Sequence, residues 1–122
     1  MSNELLGHLS ESDIRIELRG FAESTIQTVI SLKRSVTPSL LQQAVAEILA
    51  FYLPRGTQIN LSAQPPSTRL REDLGVDSLT FAEAAFKMEE LFGVRIENAA
   101  LAEIKTLGDL QTFARDLLLK VS

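Results

Sequence analysis

Leu70-Arg71-Glu72-Asp73-Leu74-Gly75-Val76-Asp77-Ser78-Leu79 is the stretch that decides how this chain reads. Gly75 closes a loop, and Asp77-Ser78-Leu79 opens a segment of helical periodicity. Aspartate is a favoured N-cap, because its carboxylate accepts hydrogen bonds from the free N–H groups of the first turn. A serine hydroxyl is thereby presented at a helix start. The helix should run from Asp77 to about Phe92, where Gly93 ends it.

Helical geometry sorts this segment into two rows. Phe81, Ala85, Met88 and Phe92 share one stripe, which is wholly apolar and should face the core. Leu79, Glu83, Phe86 and Glu90 share the opposite stripe and mix carboxylates with apolar side chains. A purely solvated face would not normally carry both Leu79 and Phe86. Apolar anchors ringed by charge suit a surface that docks a partner. Residues 77–92 hold Asp77, Glu83, Glu89 and Glu90 against the single base Lys87, so a basic partner would be steered here.

Outward from this helix the pattern stays helical. Thr37-Pro38 reads as an N-cap with proline at the first helical position. Leu41, Val45, Ile48 and Tyr52 then recur at helix spacing until Pro54 and Gly56, predicting a main helix over 38–53. Residues 54–76 read as a long loop that Ile59, Leu61, Leu70 and Leu74 could pin to the core. A short helix is expected over 98–103. Thr106 and Asp109 form a capping-box pattern before a last helix with Leu107, Leu110, Ala114, Leu117 and Val121 on its buried stripe.

The first 36 residues are less decisive. Ser10-Glu11-Ser12-Asp13 suits a helix start, and Ile14, Leu18, Phe21 and Ile30 could share a face. Yet Ile14, Ile16 and Leu18 also alternate like a strand, and Gly20 interrupts either pattern. One or two helices are the favoured reading.

Composition narrows the function. The chain has 122 residues, 45% hydrophobic and 23% charged, which suits one folded domain with a short extension. A net charge of −4 disfavours nucleic acid as a partner. There is no cysteine, so any thioester chemistry needs a sulfur from elsewhere, and His8 alone cannot make a histidine-rich metal site. No signal peptide or membrane span is evident, which makes the cytoplasm the expected location. No nucleophile elbow, P-loop or dinucleotide fingerprint is present, so an enzyme is not expected.

Residues 38–122 resemble an acyl carrier protein over their full length: a helix, a long loop, Asp-Ser-Leu opening a second helix, a short third helix and a last one. Glu72-Asp73-Leu74-Gly75 before the serine, Glu89-Glu90-Leu91-Phe92 after it, and the apolar Ile96, Ile104 and Leu107 also fit. The resemblance implies an all-α bundle of three main helices and one short helix. It implies a domain over 37–122, preceded by an atypical extension over 1–36. It implies 4'-phosphopantetheine, taken from coenzyme A by a phosphopantetheinyl transferase and attached to Ser78. Asp77 would assist that transfer, partly through the transferase's magnesium ion, and Leu79 would complete the attachment motif. Glu83, Phe86, Glu89 and Glu90 match positions read by acyl-transferring, condensing or modifying enzymes with basic patches. The product would be a non-catalytic, monomeric carrier of acyl thioesters for a specialised fatty acid, lipid or polyketide-type pathway. A carrier of aminoacyl or peptidyl units is the alternative within the family. A bundle that has lost the prosthetic group and serves only as an interaction module is the alternative outside it.

Four departures stand out. Thr80 replaces a common acid, and Lys87 adds a cation, both of which suggest partners outside standard fatty acid synthesis. Ala82, Ala84 and Ala85 are small, and a core does not leave space empty cheaply. An acyl chain, the residues Phe81, Phe86 and Phe92, or the extension could fill that space. The extension has balanced charges, with Glu4, Glu11, Asp13, Glu17 and Glu23 against Arg15, Arg19, Lys33 and Arg34, which argues against an anionic membrane anchor. Read as an appendage, it could be deleted over residues 1–34 and leave a folded, modifiable domain.

Overall fold

A computed structural model describes residues 6–53 and 61–121. Among them are seven α-helices: α1 (Glu11–Glu17), α2 (Glu23–Arg34), α3 (Pro38–Phe51), α4 (Leu70–Leu74), α5 (Ser78–Phe92), α6 (Asn98–Ala102) and α7 (Leu107–Val121). A 3₁₀ turn covers Leu61–Ala63. The only bridge among these residues is an isolated antiparallel one between Arg69 and Thr106. The fold is therefore an all-α bundle. No described helix is long and apolar enough to cross a membrane.

The helix starts follow local chemistry. Ser10 and Asp13 cap each other reciprocally, so α1 begins where the capping box places it. This cap decides between helix and strand for the first segment, and Ile16 turns outward as a result. Thr37 accepts from the Leu40 N–H at 3.1 Å ahead of Pro38. Thr106 and Asp109 exchange hydrogen bonds at 3.0 and 3.1 Å to open α7.

The central α3 packs against α2, α5 and α7. Its buried residues, among them Leu41, Val45, Ile48 and Leu49, join one continuous core. That core also takes in Leu6, Ile14, Leu18, Phe21, Ile26, Val29, Ile30 and Leu32. The extension is thus two helices that share the core of residues 37–122, and the boundary at residue 36 falls in the turn between α2 and α3. Leu107, Leu110, Ala114 and Leu117 are buried on α7 as their spacing predicts. Ile59 and the Val121 side chain lie outside the described residues.

The stretch read as one long loop contains α4. Leu70 and Leu74 are buried, and Leu61 with them. Leu70 N–H donates to the Lys105 carbonyl at 3.0 Å, and Leu107 N–H donates to the Thr68 carbonyl at 2.8 Å. Gly108 N–H donates to the Pro66 carbonyl at 2.8 Å. These bonds tie the segment before the serine to the entry of α7 and fix the position of the site.

Candidate functional site

Ser78 is the first residue of α5 and is exposed. Two devices put it there. Gly75 adopts a left-handed conformation (φ 73°), which glycine tolerates best. The N–H groups of Gly75 and Val76 return to the carbonyls of Arg71 and Leu70, at 3.1 and 3.0 Å. The chain doubles back, and the start of α5 comes to lie beside α4. Asp77 then caps α5, with Oδ1 accepting from the Thr80 N–H at 2.7 Å. That N–H is the main reason the Asp77 carboxyl lies below its ordinary range.

A groove of about 770 Å³ adjoins the serine. Its walls come from α4, the first turns of α5, α6 and the strip 104–106. Leu70, Val76, Phe81, Leu101 and Ile104 give it an apolar floor, and Arg69, Arg71 and Lys105 supply its cations. Ser78 and Asp77 line it and are exposed, so the serine borders both solvent and an apolar recess.

The two faces of α5 separate largely as their spacing predicts. Ala85, Met88 and Phe92 are buried. Phe81 is an exception: it is only half-buried, because it sits one turn from the helix start and lines the groove. Ala84 is buried in the core alongside Ala85, whereas Ala82 lies on the groove wall. Phe86 is 61% exposed and therefore fills none of the space beside the alanines. Leu79, at 70%, is the other exposed large apolar residue on this helix. Glu83 and Glu90 are exposed on the same face.

Glu89 is placed differently. It is half-buried, and its carboxylate accepts from the Ile96 N–H at 2.7 Å, holding the segment that follows α5. Lys87 is also engaged within the fold. Its Nζ donates to the Glu17 carbonyl at 3.0 Å and lies 3.3 and 3.5 Å from the carboxylates of Glu17 and Glu90. His8, which the sequence marks only as a residue near the terminus, packs on Gly93. Its Nε2 lies 3.2 Å from the Glu90 carbonyl, to which it can donate. That carbonyl belongs to the last turn of α5, whose acceptors lack helical partners.

Arg71 is the residue sequence reasoning passed over. Its Nη2 is 3.5 Å from Ser78 Oγ. The seven-residue separation across a glycine turn was the available signal.

Comparison with known proteins places this site in a family. Residues 39–113, more than half of the chain, match the family described as the phosphopantetheine attachment site. The meromycolate extension acyl carrier protein of Mycolicibacterium aurum is 33% identical over 76 residues, which are 62% of this chain and 78% of that relative. The protein of the same description from Mycobacterium leprae is 30% identical over 79 residues, covering 65% and 69%. The acyl carrier protein MbtL of Mycolicibacterium paratuberculosis is 36% identical over 66 residues, covering 54% and 73%. No solved structure matches the chain. Acyl carrier proteins are non-catalytic carriers that work with synthase enzymes, and their prosthetic group is a covalently attached 4'-phosphopantetheine. A helical bundle that presents Asp-Ser-Leu at a helix start, matched over most of its length, is a member of that phosphopantetheine-attachment family, the acyl carrier proteins.

Proposed function

We propose that Ser78 is the attachment point and that the chain carries long acyl units for a specialised lipid pathway. The observation that carries this reading is the exposed Ser78 hydroxyl at the edge of an apolar-floored groove. The group fits these residues: an accessible hydroxyl for the ester, cations at the rim for its phosphodiester, and an apolar recess for what it carries. When bound, phosphopantetheine supplies a flexible arm ending in a thiol, which holds acyl units as thioesters. The chain has no cysteine of its own to do so.

In loading, Ser78 Oγ forms the new O–P bond as the pyrophosphate bond of coenzyme A breaks. The serine proton passes to the transferase, and adenosine 3',5'-bisphosphate leaves. Asp77 caps the first turn of α5 and offers that enzyme an exposed carboxylate beside the nucleophile.

Partner enzymes with basic patches would read α5 through Leu79 and Phe86 as apolar anchors, with Glu83 and Glu90 as the surrounding charge. Glu89 belongs to the fold more than to this surface, since Ile96 already occupies it. The setting is a cytoplasmic one, with the carrier monomeric so that each enzyme in turn can reach α5.

The meromycolate relatives support a long-chain cargo. The test is to load the protein from butyryl- and palmitoyl-coenzyme A and compare thermal melting. A cargo seated within the native state stabilises it, so the palmitoyl form should melt higher. Equal melting of the two forms would contradict a long-chain cargo held by the groove.

A further inference from the structure

We infer that Arg71 holds the phosphodiester of the prosthetic arm and so directs the arm over the groove. The inference rests on Ser78 being the attachment point. Arg71 is exposed on α4 between the buried anchors Leu70 and Leu74, which fix its backbone and send its side chain outward. Its Nη2 reaches within 3.5 Å of Ser78 Oγ. Among the described residues no carboxylate pairs with it. Its neighbour Arg69 is committed, with Glu72 at 3.8 Å and Asp73 at 3.1 Å. Two arginines at one short helix thus have different tasks: Arg69, just ahead of α4, pairs with the Glu72 and Asp73 carboxylates, and Arg71 faces the serine.

Ser78 Oγ becomes the ester oxygen of a phosphodiester, which carries a full negative charge at neutral pH. A guanidinium already beside that oxygen is matched to a phosphate, because its planar fork donates two parallel N–H bonds. Arg71 and Ser78 both border the groove with Phe81 and Leu101. A phosphodiester held on the Arg71 side starts the arm toward the apolar floor and away from solvent. Arg71 is therefore a positioning residue: it sets the fraction of time the cargo spends sheltered, and a partner enzyme that offers its own cation can take the phosphodiester over.

The experiment uses the full chain, loaded with a palmitoyl arm and confirmed by intact mass, as wild type, Arg71→Met and Arg71→Lys. Two readouts are taken. One is the ³¹P resonance of the phosphodiester. The other is the rate at which hydroxylamine cleaves the thioester, forming the hydroxamate and releasing the arm thiol. Arg71→Met should shift the ³¹P resonance and raise the cleavage rate by about threefold or more at low salt. Arg71→Lys, which keeps the charge without the fork, should lie between. High salt should bring wild type toward Arg71→Met, because an exposed ion contact is screened. An Arg71→Met protein with unchanged resonance and unchanged rate would overturn the inference while leaving the carrier reading intact. Failure of wild type to load at Ser78 would overturn both.

Discussion

Lys87 Nζ donates to the backbone carbonyl of Glu17 at 3.0 Å and lies 3.3 Å from the Glu17 carboxylate, joining the end of α1 to the middle of α5. The lysine side chain is only 18% exposed, so the contact is partly shielded from water. A cation that looked like a message to partners is a link within the fold. Lys87→Met should lower stability by about 1–2 kcal/mol, because it leaves the Glu17 carbonyl and carboxylate without their donor. Glu17→Gln should cost less, since the carbonyl contact survives. Urea melts of the two variants check the order, and equal costs would assign the effect to the charge pair alone.

Gly93 ends α5 at φ 66°, and a Cβ there would stand 3.0 Å from His8 Cε1. Gly93→Ala should therefore cost about 1–2 kcal/mol from the left-handed backbone, with the contact adding to it. His8→Ala in the same chain should recover part of the loss, because it removes the clash and leaves the backbone term. A double-mutant cycle measures that coupling. Strict additivity would show that His8 moves aside without cost.

The continuous core bears on the deletion expected from sequence to be harmless. Removing residues 1–34 strips α2 from α3 and takes away Leu6, Ile14, Leu18, Val29, Ile30 and Leu32, all nearly or fully buried. Each such side chain contributes roughly 1.5–3 kcal/mol, against a total stability of about 5–15 kcal/mol for a typical domain. A chain of residues 35–122 alone should lose its cooperative melt or precipitate. A sharp melt within a few degrees of the full chain would show that the extension is an appendage after all.

Asp13, Asp73, Asp77 and Asp109 each accept backbone N–H groups at a helix start, and each has its carboxyl held below the ordinary value of 3.8. The leading causes are the N–H groups of Ser10, Arg69, Thr80 and Lys105 respectively. A depressed folded-state pKa stabilises the fold fully above the unfolded value and loses that contribution as pH falls through the folded one. Melting temperature should stay level from neutral pH down to about 5 and fall steeply below about 4. Asp77→Asn, which keeps a cap without the titration, should fall less steeply. Melting temperature that rises on acidification would contradict the capping roles.

What was legible in the sequence was local. Thr37-Pro38, Asp77, Gly93 and the Thr106–Asp109 pair mark helix ends through contacts spanning at most four residues, so the pattern alone places α3, α5 and α7. The α4 helix was not visible because it is too short to show a period and Arg69 gives it no side-chain cap of its own. Its bonds to residues 105–107 are made only once the bundle is folded. The same holds for His8 and Glu90, 82 residues apart, and for Lys87 and Glu17, 70 apart. At the site, Asp77, Ser78 and the exposed Leu79 and Phe86 were legible from spacing. The groove was not, since α6 and residues 104–106 supply one wall.

The central claim is that Ser78 accepts phosphopantetheine. Intact mass after incubation with coenzyme A, magnesium and a broad-specificity phosphopantetheinyl transferase tests it, with Ser78→Ala alongside. The account predicts a gain of one phosphopantetheine on the wild-type chain and none on the variant. No gain on the wild type, repeated with the host's own transferase, would contradict it, as would an equal gain on Ser78→Ala.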